Sequence, residues 1–182
     1  WDVHHGDGTQ EILGRWPGVG IADLHQHPLF PGTGAADEVG GGDVWNVPLP
    51  AGCGDADYEW LLGRLLPELA RRIRPQLVLV SSGFDPHADD PLGGMQLTDA
   101  GFGALAACVR EVAEEHCAGR VVVLLEGGYA PHAVAGSVVE VFRALSSGAR
   151  TGRPAGEPRP STVTALESTA EAHVGCCGTG TR

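Results

Sequence analysis

Short apolar runs alternate along the chain with longer segments in which apolar residues recur at helical spacing. The apolar runs predict four strands, at residues 19–24, 43–49, 76–81 and 120–125. The helical spacing predicts four helices, at residues 11–16, 57–74, 98–117 and 131–145. Near-continuous Leu and Val runs are typical of strands in a parallel sheet that is covered on both faces. The order of strand, loop, helix and strand therefore predicts an α/β fold, with a parallel sheet flanked by helices.

The composition changes near residue 150. Residues 150–182 are rich in Gly, Pro, Ser, Thr and Arg and lack apolar periodicity. Such a segment buries too little apolar surface to offset the entropy of ordering it. We therefore predict a folded unit over residues 1–149 and a disordered tail over residues 150–182.

The net charge of the 182-residue chain is −11, from 12 basic residues, all of them Arg, and 23 acidic residues. An acidic body repels phosphate backbones, so direct nucleic-acid binding is not expected, whereas a cationic substrate would be tolerated. No run approaches the roughly 18 apolar residues of a membrane span, so no membrane association is expected. The five Cys are irregularly spaced, which predicts reduced thiols and a cytoplasmic protein rather than a disulfide framework.

Three polar loops carry candidate catalytic groups, at residues 2–8, 83–91 and 126–129. The second and third follow predicted strands, and the first resembles a loop that leaves a strand. In an extended segment, residues i and i+2 point the same way, so Asp2 and His4 could face one point in space. A third ligand from the loop after Val80 would give the three protein ligands and open position of a catalytic zinc. A polar loop of caps and turns also accounts for an isolated Asp-x-His pair.

The third loop places Tyr129 directly after two glycines. Gly127 and Gly128 have no side chains, so the backbone there can approach a site closely. A tyrosine hydroxyl at that point could donate a hydrogen bond to a developing oxyanion. The alternative is that the Tyr129 ring closes the end of a strand against the core.

Four motifs occur in order over about residues 1–146: WDVHHGDGTQ at the start, FPGTG at 30–34, SSGFDPHADDPLGG at 81–94 and LLEGGY at 124–129. Together they resemble the deacetylase superfamily, and most of all its class II-like histone deacetylases and acetylpolyamine amidohydrolases. The resemblance implies the arginase/deacetylase fold. A domain of this family is about twice as long, and the chain begins at Trp1 with Met95 as its single Met. We therefore expect residues 1–149 to be the carboxyl-terminal part of such a domain, incomplete at its amino-terminal side.

The resemblance implies roles for five residues in the reaction. Asp2, His4 and Asp85 match the zinc ligands of the family. Tyr129 matches the tyrosine that polarises the acyl carbonyl, and Asp7 matches a carboxylate that orients one of two catalytic histidines. The implied reaction is amide hydrolysis by metal-activated water, which removes acetyl groups from acetyl-lysine or acetylated polyamine-type amines.

Further residues match the substrate tunnel and a second cation site. Phe30 matches an aromatic wall of the acyl-lysine tunnel, Leu92 matches an apolar residue of its rim, and Gly128 belongs to the same tunnel. The positions that match the family's monovalent-cation site, which would hold K⁺, are Asp2, His4, Asp23 and Leu24. Many members of the family have Ser where this chain has Asp23.

The general base of the family is a pair of adjacent histidines upstream of the zinc-binding aspartate, and this chain has no such upstream segment. His4 and His5 are adjacent, but they align with the metal-ligand motif, so His5 is expected to support a ligand or to lie in the core. We therefore predict that the 182-residue chain alone is an inactive fragment. Two alternatives are a non-catalytic zinc- or acyl-binding module and a binuclear manganese ureohydrolase, although the chain offers few acids for a second metal.

Overall fold

The computed structural model describes residues 1–147 and 156–177. Strands β1 to β4 are Ile21–Gln26, Val44–Leu49, Val78–Ser82 and Val121–Leu125. Helices α1 to α5 are Asp7–Leu13, Asp55–Ile73, Asp99–Cys117, Pro131–Ser146 and Pro160–Cys177. The four predicted strands are therefore confirmed, with the first displaced by two residues. The first helix lies earlier in the chain than the predicted range 11–16: α1 begins at Asp7 and ends before Gly14.

The strands form two parallel pairs, which confirms the predicted parallel arrangement. β1 pairs with β2 from Ile21↔Val44 onward, and β3 pairs with β4 from Val78↔Val121 onward. The extended segment at the start of the chain contacts both pairs. The Trp1 nitrogen donates to the Ser81 oxygen at 3.1 Å, and the Gln26 amide donates to the Val3 oxygen at 2.8 Å. Asp2 and His4, on either side of Val3, are therefore held between the two pairs.

The hydrophobic core connects the helices to this segment. Val3 is fully buried, so the alternation along an extended strand directs Asp2 and His4 to the opposite side. The apolar stripe of α2 packs into the same core, as the helical spacing predicts. The largest buried side chains of the core include Tyr58, Leu61, Leu65, Met95, Leu97, Phe102 and Leu105.

The disordered tail predicted for residues 150–182 is wrong over α5, which packs against β2 and α2. The Thr169 hydroxyl donates to the Asn46 oxygen at 2.6 Å, and the Thr162 hydroxyl donates to Asp57 Oδ1 at 2.7 Å. Both threonines are fully buried. Ala165 and Leu166 also pack against the core, but the buried positions of the helix are held by Thr162, Thr169 and His173. Because these buried residues are polar, apolar periodicity did not indicate the helix. Residues 150–155 and 178–182 of the predicted tail lie outside the described residues.

Large apolar side chains are exposed on the β3–β4 pair and on α4. The most exposed are Leu79, Leu125 and Phe142, at 58%, 68% and 66% of their full surface. Among the described residues, no helix combines the length and apolar character needed to cross a bilayer. Among the described cysteines, Cys53, Cys108 and Cys117 form no disulfide, and the reduced state and the cytoplasmic location of the protein stay predictions.

Candidate active site

Asp2, His4 and Asp85 converge at the ends of the strands. His4 Nδ1 lies 3.1 Å from Asp2 Oδ1 and 3.1 Å from Asp85 Oδ2. One ligand atom from each of the three residues lies within 4.8 Å of the others. Asp85 follows β3, and its Oδ1 accepts the Val3 amide at 2.8 Å, which fixes the two segments relative to each other. Two oxygens and one imidazole nitrogen thus face one point, as the sequence predicted.

Glycines enclose this cluster because no side chain would fit. A Cβ added at Gly127 would collide with Asp85 Oδ2 and would lie 2.9 Å from Asp2 Oδ2. A Cβ added at Gly83 would collide with Asp2 as well. The Gly127 amide instead donates to Asp2 Oδ2 at 3.1 Å, so the close approach of the backbone also orients a carboxylate.

The buried carboxylate of Asp85 lacks a partner for one oxygen. Asp85 is fully buried, and among the described residues its Oδ2 accepts no hydrogen bond, although His4 Nδ1 is near. Burial, and then the negative charge of Asp2, raise the pKa of the Asp85 carboxyl to about 6. A divalent cation between the ligands would offset both effects, because its positive charge compensates the paired carboxylates. Two carboxylates and one histidine also match the donor set of zinc, so these residues fit a zinc ion.

The segment carrying Tyr129 is fixed to the cluster through its backbone. The Glu126 amide donates to the Ser82 oxygen at 3.1 Å, and the Phe84 amide donates to the Gly127 oxygen at 2.7 Å. The Tyr129 side chain is 53% exposed. The alternative in which its ring packs against the core is therefore wrong, and the ring is available to a bound molecule.

A cavity of about 210 Å³ lies beside two of the clustered residues. Its lining residues are Asp2, His4, His5, Gly6, Thr9, Ser81 and Glu126. Phe30, Leu92 and Gly128 do not line it, so this cavity is not the predicted tunnel. Phe30 and Leu92 are exposed, at 78% and 53%. The Phe30 ring lies edge-on to the His4 ring, with centroids 6.5 Å apart, which places it beside the cluster.

Residues 1–145 match the family described as histone deacetylase domain. The chain belongs to the histone deacetylase family. It is 42% identical over 149 residues to Histone deacetylase 10, chloroplastic, of Oryza sativa subsp. japonica, over 80% of this chain and 34% of that protein. It is 46% identical over 134 residues to the Histone deacetylase-like amidohydrolase of Pseudomonas aeruginosa, over 71% of this chain and 35% of that protein.

Solved structures of histone deacetylases share the fold. The HDA15 HD domain matches with a TM-score of 0.84 and 33% identity, over 96% of this chain and 49% of that chain. The histone deacetylase Clr3 matches with a TM-score of 0.84 and 32% identity, over 95% of this chain and 30% of that chain. The predicted arginase/deacetylase fold is thereby confirmed. The chain spans between 30% and 49% of the length of these four histone deacetylase relatives.

Two predicted residues of the histone deacetylase site have partners of their own. Asp7 is exposed at the start of α1, and its Oδ1 accepts the Gly8 amide at 2.8 Å. Asp23 Oδ1 lies 2.9 Å from His25 Nδ1, and Asp23 Oδ2 accepts the Gly6 amide at 2.9 Å. Burial opposes ionisation of Asp23, but hydrogen bonds from His25 and Gly6 lower its pKa below the ordinary value. The Asp23 carboxylate is thus charged and engaged with protein groups, while its role toward K⁺ stays a prediction.

His5, Glu38 and Asp90 support the histone deacetylase site, and the sequence analysis assigned no role to the last two. His5 is buried, as expected, and its ring nitrogens lie 2.8 Å from Thr33 Oγ1 and 3.0 Å from Gln10 Oε1. Glu38 accepts the Gly34 amide at 3.1 Å and so joins the loop that carries Phe30 to the same network. Asp90 is 7% exposed and was not singled out, although an acid before Pro in a loop is a common capping signal.

Proposed function

We propose that the protein containing this chain is a zinc-dependent amide hydrolase that removes acetyl or related acyl groups from amines. The observation that carries the proposal is the convergence of Asp2, His4 and Asp85, in which Asp85 Oδ2 is buried and has no hydrogen-bond partner within the described part of the chain. The family membership agrees with this chemistry. The substrates we propose are acetyl-lysine side chains and acetylated polyamine-type amines.

Asp2, His4 and Asp85 would hold the zinc ion, with His4 binding through Nδ1 as a neutral imidazole. When bound, zinc supplies a Lewis acid for the amide carbonyl and lowers the pKa of water. The Val3 amide holds Asp85 Oδ1, so that Asp85 Oδ2 would face the ion. The Gly127 and His4 amides orient the carboxylate of Asp2.

Tyr129 would donate a hydrogen bond from its hydroxyl to the acyl oxygen and stabilise the negative charge that develops there. Its exposed ring, one residue beyond the Gly127–Gly128 turn, supports this role. Phe30 and Leu92 would flank the acyl chain, and Gly128 would leave room beside it. Asp7 would orient one histidine of the general base, which lies in another part of the full domain.

The surroundings of the site bear on the other predicted partners. The net charge of −11 favours a cationic amine over a nucleic acid. The proposed monovalent-cation site for K⁺ is formed by Asp2, His4, Asp23 and Leu24. Within the described residues, the Asp2–His4–Asp85 group is the one set of three or more ligand residues that could share a metal. This argues against the binuclear manganese ureohydrolase.

A second candidate function applies to the isolated chain. The adjacent pair His4 and His5 offers no free base, because His4 faces the clustered carboxylates and His5 is bound to Thr33 and Gln10. The 182 residues alone would therefore form a zinc- or acyl-binding module without turnover.

The experiment is hydrolysis of a fluorogenic acetyl-lysine substrate by the full-length protein, with its metal content measured in the same preparation. One zinc per chain with turnover supports the proposal, and binding without turnover supports the module. Tyr129→Phe should retain zinc and lower the catalytic rate by about 100-fold, the effect of losing one oxyanion donor. A near-normal rate in this variant would remove Tyr129 from the mechanism.

A further inference from the structure

Asp90 connects the two loops that carry predicted substrate-contacting residues. Its Oδ2 accepts the Tyr129 amide at 2.7 Å, and its Oδ1 accepts the Leu92 amide at 2.9 Å. The carboxylate is 7% exposed, so water competes little for these two bonds. Both oxygens of one side chain are therefore used to hold the backbone of two separate segments.

The position of the Tyr129 backbone depends on this hydrogen bond to Asp90. Gly128 has a φ of 137°, which side chains other than glycine rarely permit, and the Tyr129 ring that follows is half exposed. Side-chain packing thus contributes little to the position of the ring. The hydrogen bond that the Tyr129 amide donates to Asp90 fixes the Tyr129 backbone, while the Gly127 amide donates to Asp2.

We propose that Asp90 is a positioning residue, which sets the place of the Tyr129 hydroxyl over the metal ligands by clamping the Tyr129 and Leu92 amides together. This inference rests on the proposed function, in which Tyr129 polarises the acyl carbonyl. Charge-assisted hydrogen bonds between a carboxylate and backbone amides are short and strong, so they suit this task. The neutral isostere Asn keeps one acceptor oxygen but turns an NH₂ group toward the second amide, so one of the two bonds is lost.

The test is a double-mutant cycle of Asp90→Asn and Tyr129→Phe in the zinc-loaded full-length protein. We expect Asp90→Asn to lower kcat about 10-fold or more with little change in KM, since losing a hydrogen bond to a charged group costs at least that much. If Asp90 acts through the Tyr129 hydroxyl, adding Asp90→Asn to Tyr129→Phe changes kcat by less than about twofold. An effect on the zinc site alone, through the lost charge, would instead multiply with that of Tyr129→Phe and would overturn the inference.

A second readout does not depend on activity. Hydrogen exchange of the Tyr129 amide should become at least about 10-fold faster in Asp90→Asn, while amides of the core helices keep their protection. Asp89→Asn is the matched control, because Asp89 has 60% of its side chain exposed and contacts His132, whose side chain is 74% exposed. We expect unchanged kinetics and exchange in this control. Unchanged exchange at Tyr129 in Asp90→Asn would overturn the inference.

The outcomes separate this inference from the proposed function. A normal rate for Tyr129→Phe contradicts the proposed role of Tyr129, whereas a normal rate for Asp90→Asn beside an impaired Tyr129→Phe contradicts the role of Asp90 alone. If Asp90→Asn does not fold, Asp90→Ser takes its place. The serine side chain is smaller, and its hydroxyl can accept a hydrogen bond from one of the two amides. The same loss of kcat, the same lack of additivity and the same faster exchange are then expected.

Discussion

His4 Nδ1 lies 3.1 Å from Asp85 Oδ2, although the two residues are far apart in the chain. His4 belongs to the extended segment between the two strand pairs, and Asp85 follows β3. Their approach brings an imidazole and a buried carboxylate to Asp2, whose charge opposes ionisation of Asp85. An arrangement that concentrates negative charge in this way is stabilised by a cation.

The glycine beside the ligands gives a steric prediction. Gly127→Ala should lower the zinc content of the full-length protein severely, because the added Cβ collides with Asp85 Oδ2 and approaches Asp2 Oδ2. Gly8→Ala is the matched control, since a Cβ at Gly8 meets no atom within 4 Å. Metal analysis after dialysis measures both. Full zinc occupancy in Gly127→Ala would show that the backbone does not pass the ligands as closely as described.

Glu38 gives a prediction with a defined pH dependence. Burial opposes ionisation of Glu38, but the Ala35 and Gly34 amides and the Gln10 side chain lower its pKa below the ordinary value of 4.5. A lowered pKa means that the folded state favours the ionised form. The stabilisation is therefore complete above about pH 4.5 and is lost as the pH falls through the lower pKa of the folded state.

Glu38→Gln should therefore destabilise the full-length protein by about 1 kcal/mol at pH 7, with a smaller difference at more acidic pH. Denaturant unfolding at several pH values measures the difference. Asp37→Asn removes the same charge from an exposed neighbour and should have little effect. A constant difference across the acidic range would contradict the assignment of the effect to ionised Glu38.

The docking of α5 depends on buried hydroxyl groups. Thr169→Val keeps the volume and removes the donor to the Asn46 oxygen, so we expect a loss of about 1–2 kcal/mol in the free energy of unfolding. Thr164→Val, at an exposed position of the same helix, should change it by less than about 0.5 kcal/mol. Equal effects of the two substitutions would mean that α5 is not docked through Thr169.

The sequence predicted the elements whose apolar residues are regularly spaced. Apolar runs were enough to predict β3 and β4, and the apolar stripe was enough to predict α2, because both patterns lie within the element itself. α5 was missed because Thr162 and Thr169 are buried by hydrogen bonds, which leave no apolar period. The helix thus depends on partners in β2 and α2 that a local pattern does not contain.

The site could be predicted only in part, because some of its contacts also join residues that are distant in the chain. Alternation along an extended segment was enough to pair Asp2 with His4, but the approach of Asp85 depends on the position of β3, which the four-motif resemblance supplied. Asp90 was missed because its function is carried by bonds to the backbone amides of Leu92 and Tyr129. The Asp-Pro pair signals the local turn to the Leu92 amide, but the neighbouring residue types do not indicate the distant bond to the Tyr129 amide.

The exposed apolar residues predict the behaviour of the isolated chain. Leu79, Leu125 and Phe142 present large apolar surface that the rest of a full-length domain would cover. We expect the 182-residue chain alone to be poorly stable and without amide hydrolase activity. Calorimetry and the fluorogenic acetyl-lysine assay measure these properties. A cooperative thermal transition together with turnover would contradict this prediction.

The zinc stoichiometry of the full-length protein tests the central claim most directly, with Asp85→Asn as the comparison. Removing one of three protein ligands should weaken zinc binding at least 100-fold, more than the roughly 10–100-fold lost with supporting residues. Asp89→Asn, which leaves the ligands intact, serves as the control. The account predicts one zinc per chain in the wild type and the control, and little or none in Asp85→Asn after dialysis. Equal zinc in all three proteins, or none in the wild type after incubation with zinc, would contradict it.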